Sequence, residues 1–184
     1  MSELMKYAES ADLYSKISNL ITAKKYTVSR AVNSAIVFLY WEIGETVCMD
    51  ILQNHKAEYG KAIINEVAKQ LSQNYGKGFD RTAIFRMVQF YQEFPDKEKV
   101  ATLSQQLTWS HFVVLLPIED ELKRDFYAAM CKSENWSVRV LRERKNSMLY
   151  ERTAISKKSD ETIKNDIALL MEKDKMSLDL FYRD

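Results

Sequence analysis

The sequence predicts an all-α fold: a helical domain with a long N-terminal helix or helical arm and a helix-turn-helix within it. Three observations predict it. The 184 residues include only 4 Gly and 2 Pro, too few for the turns of a many-stranded fold. Apolar residues recur three and four apart along most of the chain, the period of a helix with one buried face. Helix-start residues, among them Asp80, Thr108 and Ser137, stand just before such stretches. With 46% apolar and 29% charged residues, the composition is that of an ordinary globular protein able to bury a core as one domain, with or without an arm.

The first element is a helical pattern over residues 11–54, with a possible break near Lys24–Thr27. Its stripe is Val32, Ala35, Ile36, Leu39, Tyr40, Ile43 and Val47. Unbroken, it would run about 65 Å at 1.5 Å per residue, too long for a domain of this size to cover, so it bends back or pairs with a second chain. The run Ala35–Trp41 is apolar all round, which implies contact on more than one side. Residues 54–60 connect to the next helix, where Ile64, Val67, Ala68, Leu71 and Tyr75 face inward and Lys61, Asn65, Glu66, Lys69 and Gln73 face out. Gly76-Lys77-Gly78 stops it. Asp80 caps a following helix with Ile84, Met87, Val88 and Tyr91 on one face, and Pro95-Asp96-Lys97 ends that helix.

Three short helices come next. One runs from Thr108 through Trp109, Phe112, Val113, Leu115 and Leu116 to Pro117; the second spans Glu119–Ser133; the third, capped by Ser137, spans 138–151. Residues 156–160 read as a polar hinge and 161–173 as one more helix. The closing MSLDLFYRD is aromatic and apolar, which suggests the start of a further domain. The organisation expected is an N-terminal helical arm over 1–56, a helix-turn-helix-containing domain over 57–155, and a C-terminal helix and linker over 156–184.

Function is most legible in residues 61–95, two amphipathic helices joined by a glycine turn. Thr82, Arg86 and Gln89 lie opposite the apolar face of the second helix, free to touch a partner. Residues 61–92 carry a net charge of +3 and residues 136–158 a net of +5, in a chain whose total is +1. Two basic segments in a near-neutral chain point to a charged face for nucleic acid. Arg81, Thr82, Arg86 and Gln89 are the candidates for base or backbone contact, and Lys77, Arg139, Arg142 and Lys145 for phosphates.

Other classes find little support. Cys48 and Cys131 are far apart with no CxxC, which suggests buried thiols in a reducing cytoplasm. No apolar run approaches the length of a membrane span, and the start is too polar for a signal peptide. His55 and His111 each stand alone, so His111 is expected to be a structural hydrogen-bonder. Pro95-Asp96 and Glu121-Leu122-Lys123 have the outline of a PD…ExK nuclease motif, but Glu121 and Lys123, two apart on a helix, point in different directions. Neither a metal nor a cofactor is expected, and no catalytic residue in this chain.

The phrases AVNSAIVFLYWEIG (31–44), AEYGKAIINEVAKQLSQNYGKGFDRTAIFRMVQFYQEFP (57–95), LTWSHFVVLLPIED (107–120), NWSVRVLRERKNSMLYER (135–152) and the final MSLDLFYRD resemble the N-terminal domain of the YhcG family. The resemblance covers about residues 15–184. It implies a helical domain followed by a PD-(D/E)xK nuclease domain, and biology linked to DNA cleavage. A second likeness, to the core of ParB-type partition proteins, rests on the helix-turn-helix, on Trp109-Ser110-His111 and on Trp136-Ser137-Val138-Arg139; Ser110 stands where that family has glycine. Together these give the expected function: a self-associating, duplex-DNA-binding module that positions a C-terminal nuclease. The alternative is a protein-interaction module of a restriction-like or defence system, with the charges merely solvated. The pattern does not separate DNA from RNA.

Overall fold

The computed structural model describes residues 3–53, 60–155 and 160–172; the closing MSLDLFYRD, the connection 54–59 and most of the polar hinge lie outside them. The described residues form nine α-helices and no strand. They are α1 (Glu3–Gln53), α2 (Gly60–Tyr75), α3 (Arg81–Glu93), α4 (Lys97–Ser104), α5 (Trp109–Leu115), α6 (Glu121–Glu134), α7 (Val138–Asn146), α8 (Leu149–Ile155) and α9 (Asp160–Glu172).

α1 is one continuous helix of 51 residues, about 76 Å long, with no break at Lys24–Thr27. It contains no proline, and its one glycine is Gly44. Thr22 and Thr27 fit the helix by donating their hydroxyls to the carbonyls of Ser18 and Ala23, at 2.9 and 3.0 Å. From Ser10 to Ser29 every side chain except Ser18 is exposed, so this part projects from the body. Docking begins at the next turn. Arg30 donates to the Gln105 carbonyl at 2.6 Å, Asn33 donates to the carbonyls of Ser104 and Leu107, and Ser34 meets the Ser104 hydroxyl. Arg30 and Asn33 thus serve carbonyls at and just beyond the end of α4, where a helix leaves its last carbonyls unbonded.

The buried face of α1 coincides with only part of the stripe the sequence suggests, Tyr40, Ile43 and Val47 being half-buried against residues of α2 and α3. Val37, Trp41, Gly44 and Cys48 are buried, whereas Val32, Ile36 and Leu39 are 53%, 40% and 45% exposed. The reason is the crossing with α3. A Cβ on Gly44 would lie 2.0 Å from the Met87 carbonyl oxygen, so the two helices touch backbone to backbone there. Trp41 secures the same crossing, its indole N–H donating to the Phe94 carbonyl at 2.7 Å.

The main core joins Val37 and Trp41 to Phe90 of α3 and Phe94 just after it, Val100 and Leu103 of α4, Phe112 and Leu115 of α5, and Phe126, Tyr127 and Met130 of α6. A smaller cluster, Ile64, Ala68, Ile84 and Met87, fastens α2 to α3. Val67 and Tyr75, expected inside, are exposed. α4 was not foreseen; Asp96 caps it, accepting the N–H groups of Glu98 and Lys99 at 2.8 and 3.1 Å. The expected helix over 138–151 is two helices, broken where Met148 takes φ 55. The Tyr127 hydroxyl fills the break, accepting the Tyr150 N–H and pointing at the Arg144 carbonyl.

Candidate nucleic-acid interface

The turn between α2 and α3 is built by local chemistry. Gly76, at φ 93, takes a conformation that side chains disfavour, and its N–H closes α2 on the Ser72 carbonyl at 3.0 Å. Lys77–Phe79 form one 3₁₀ turn, and Phe79 is anchored edge-on to Tyr40 and Tyr75. Asp80 then caps α3, its carboxylate accepting the Ala83 N–H at 2.8 Å. Ile84, Met87 and Phe90 are fully buried beneath. Lys77, Arg81, Thr82 and Arg86 remain exposed at the turn and on the first half of α3, with the Arg81 guanidinium 5.5 Å over the Phe85 ring.

Gln89 departs from the expectation that it is free. It is half-buried, and its amide donates to the Leu116 carbonyl at 3.2 Å. Lys145 is likewise half-buried and donates to the Val114 carbonyl at 3.3 Å. Both serve the C-terminal end of α5, where unbonded carbonyls and the negative end of the helix dipole favour donors and cations. Their engagement brings α3 and α7 to the same end of one short helix. One turn N-terminal to each engaged residue stands an exposed arginine, Arg86 on α3 and Arg142 on α7, and Arg139 is exposed one further turn back. None of Lys77, Arg81, Arg86, Arg139 and Arg142 forms an ion pair among the described residues. The sequence reading gave no role to Lys69 and Gln73, yet they line a shallow depression with Asn65, Asp80 and Arg81. The signal for them was their recurrence on the polar side of α2.

His111 holds this region in shape. Its Nδ1 accepts the Thr108 backbone N–H at 3.0 Å, which leaves Nε2–H to donate to the Trp136 carbonyl at 2.9 Å. Burial pushes its pKa below the ordinary 6.5, opposed by the bond to Trp136, so the ring is held neutral between α5 and the start of α7. The residues of the PD…ExK outline have separate tasks: Asp96 caps α4, Glu121 lies exposed in the first turn of α6, and Lys123 pairs with Glu151. Among the described residues no group of three or more His, Cys, Asp or Glu converges, and no described helix is long and apolar enough to cross a membrane.

Residues 16–152, from the projecting part of α1 to α8, match the family model described as the DUF1016 N-terminal domain. The chain belongs to this family. An Escherichia coli K12 protein described as "Putative nuclease YhcG" is 26% identical over 175 residues, covering 78% of this chain and 46% of that protein. The chain therefore spans about half the length of the curated relative it matches. No solved structure matches. The DUF1016 N-terminal domain as matched contains the α2–α3 turn, α5, the whole first basic segment and the second as far as Arg152, and α9 falls outside it.

Proposed function

We propose that this DUF1016 N-terminal domain binds duplex DNA and positions a nuclease domain of the same protein on it. The observation that carries the reading is a set of exposed cations that form no ion pair among the described residues and lie on or beside two helices donating to one end of α5: Lys77 at the turn with Arg81 and Arg86 on α3, and Arg139 and Arg142 on α7. Surface cations of a near-neutral protein ordinarily disperse among carboxylates; grouped without ion pairs, they suit a phosphate backbone. Thr82 and Arg86, at the exposed start of α3, stand where a recognition helix presents side chains to base edges. The relative's description as a nuclease supports a nucleic-acid partner, and its greater length leaves room for a catalytic domain beyond this region.

Anisotropy titrations of duplex DNA over a series of salt concentrations test the reading. Arg86 is exposed and forms no hydrogen bond or ion pair among the described residues, so Arg86→Ala is expected to leave folding intact. If it reads a base, binding weakens by about 1–3 kcal/mol on the preferred site; if it touches phosphate alone, all sequences lose alike and the salt slope falls by about one. Arg139→Ala and Arg142→Ala follow the second pattern. Ile84→Ala is the folding control, since emptying a fully buried site costs about 2–5 kcal/mol. Equal binding by wild type, Arg86→Ala and Arg142→Ala, or no binding at low salt, replaces this reading with the protein-interaction module.

A further inference from the structure

We propose that a second copy of this chain covers the outer face of α1, the two helices running antiparallel. Tyr14, Ile17, Ile21, Val28, Val32 and Leu39 are each 45–75% exposed. At 100° per residue they fall in one line, roughly 170° around the helix from Val37, Trp41, Gly44 and Cys48, which dock on the body. The line is continuous: it begins on the projecting part of α1 and runs on along the back of the docked part. From Tyr14 to Leu39 it is about 38 Å long. A partner that covers it is therefore a rod of that length with its own apolar stripe. Within this chain α1 alone qualifies among the described helices, since the next longest, α2, has 16 residues and spans about 24 Å.

The surface is large enough for pairing. With Ile36 and the leucines at its edges, the stripe leaves about 600 Å² of apolar area on each chain, so a pair covering it buries up to about 1,200 Å² in total, the lower end of specific stable interfaces. Orientation follows from Lys24 and Lys25, which flank the stripe on its two sides between Ile21 and Val28. A parallel pair in register sets Lys24 of each chain beside Lys25 of the other, four ammonium groups at one level of the seam, whereas an antiparallel pair can move the two lysine pairs apart along it.

Light scattering on the whole chain at micromolar concentration is expected to give twice the chain mass. Ile21→Asp, on the seam, raises the dimer Kd by about 100-fold or more, because it buries a carboxylate in an apolar contact. Asn19→Asp, on the other side of the same free segment, leaves Kd unchanged. Both positions are exposed and far along the helix from the core, and near-UV circular dichroism of the buried Trp41 reports that the body stays folded. A monomer at these concentrations, or equal dimerisation by the two variants, overturns the pairing. Orientation is read from Ile17→Cys, Ile21→Cys and Val28→Cys made singly and oxidised, which is practicable because Cys48 and Cys131 are buried. An antiparallel pair cross-links at no more than one of them; self-cross-linking at two or more overturns the antiparallel arrangement.

Discussion

Gly44→Ala is expected to destabilise this domain even though alanine is the better helix former. The added Cβ would stand 2.0 Å from the Met87 carbonyl oxygen, 2.7 Å from its carbon and 3.1 Å from the Tyr91 Cβ. Ordinary contact begins at about 3.4 Å, so α1 and α3 must part by about 1.4 Å, and a carbonyl held in a helix cannot turn aside. Overpacking of this kind costs about 3 kcal/mol, the upper end of the usual range, because the obstacle is backbone. The gain in helix propensity offsets about 1 kcal/mol. The net loss is about 2 kcal/mol, read as a lower urea midpoint in tryptophan fluorescence, for which Trp41 and Trp109 lie beside the crossing. Gly78→Ala is the comparison, since a Cβ there meets nothing within 4 Å and the change is expected to be near neutral. A Gly44→Ala protein as stable as wild type would refute the close approach and leave propensity as the deciding term. The shift also bears on function, because α3 carries Arg86 and is tied to α5 through Gln89.

Trp41→Phe removes the buried bond to the Phe94 carbonyl and should cost about 1–3 kcal/mol in the same urea assay, because the carbonyl is left without its donor. His111, with its folded pKa below 6.5, binds a proton more readily in the unfolded chain, so its contribution is complete above about pH 6.5 and is lost as pH falls below it; His111→Asn should show a flatter loss of stability between pH 7 and 5, and an unchanged slope would rule out the neutral buried ring. Burial raises the Cys48 pKa and pushes the Cys131 thiol up to about 12, so neither should react promptly with a thiol reagent at pH 8 until denaturant is added, when both react.

The features legible in the sequence were those with local causes. Asp80, Thr108 and Ser137 each begin a helix as expected, because a cap needs only its own first turn. The all-helical class followed from period and from scarce glycine in the same way. What was not legible depended on distant partners. The Ala35–Trp41 run is apolar all round, so its period carries no phase; the docked face was decided by the absent side chain at Gly44, opposite a backbone 43 residues away. The break at Met148 depends on the Tyr127 hydroxyl, 21 residues before it in the chain. α4, at eight residues, offered too little period to stand out. The same distinction sorts the candidate site. Gln89 was expected free on the polar face of its helix and Lys145 free in its basic segment, and both satisfy carbonyls at the C-terminal end of α5. A side chain already holding a buried carbonyl must break that bond to reach a ligand, at a cost of about 1–3 kcal/mol. Lys77, Arg81, Thr82, Arg86, Arg139 and Arg142 carry no such obligation, nor does the outer stripe of α1. Exposed groups without internal work can be replaced with little effect on the fold, so any loss of DNA binding or pairing on replacing them reports the contact itself.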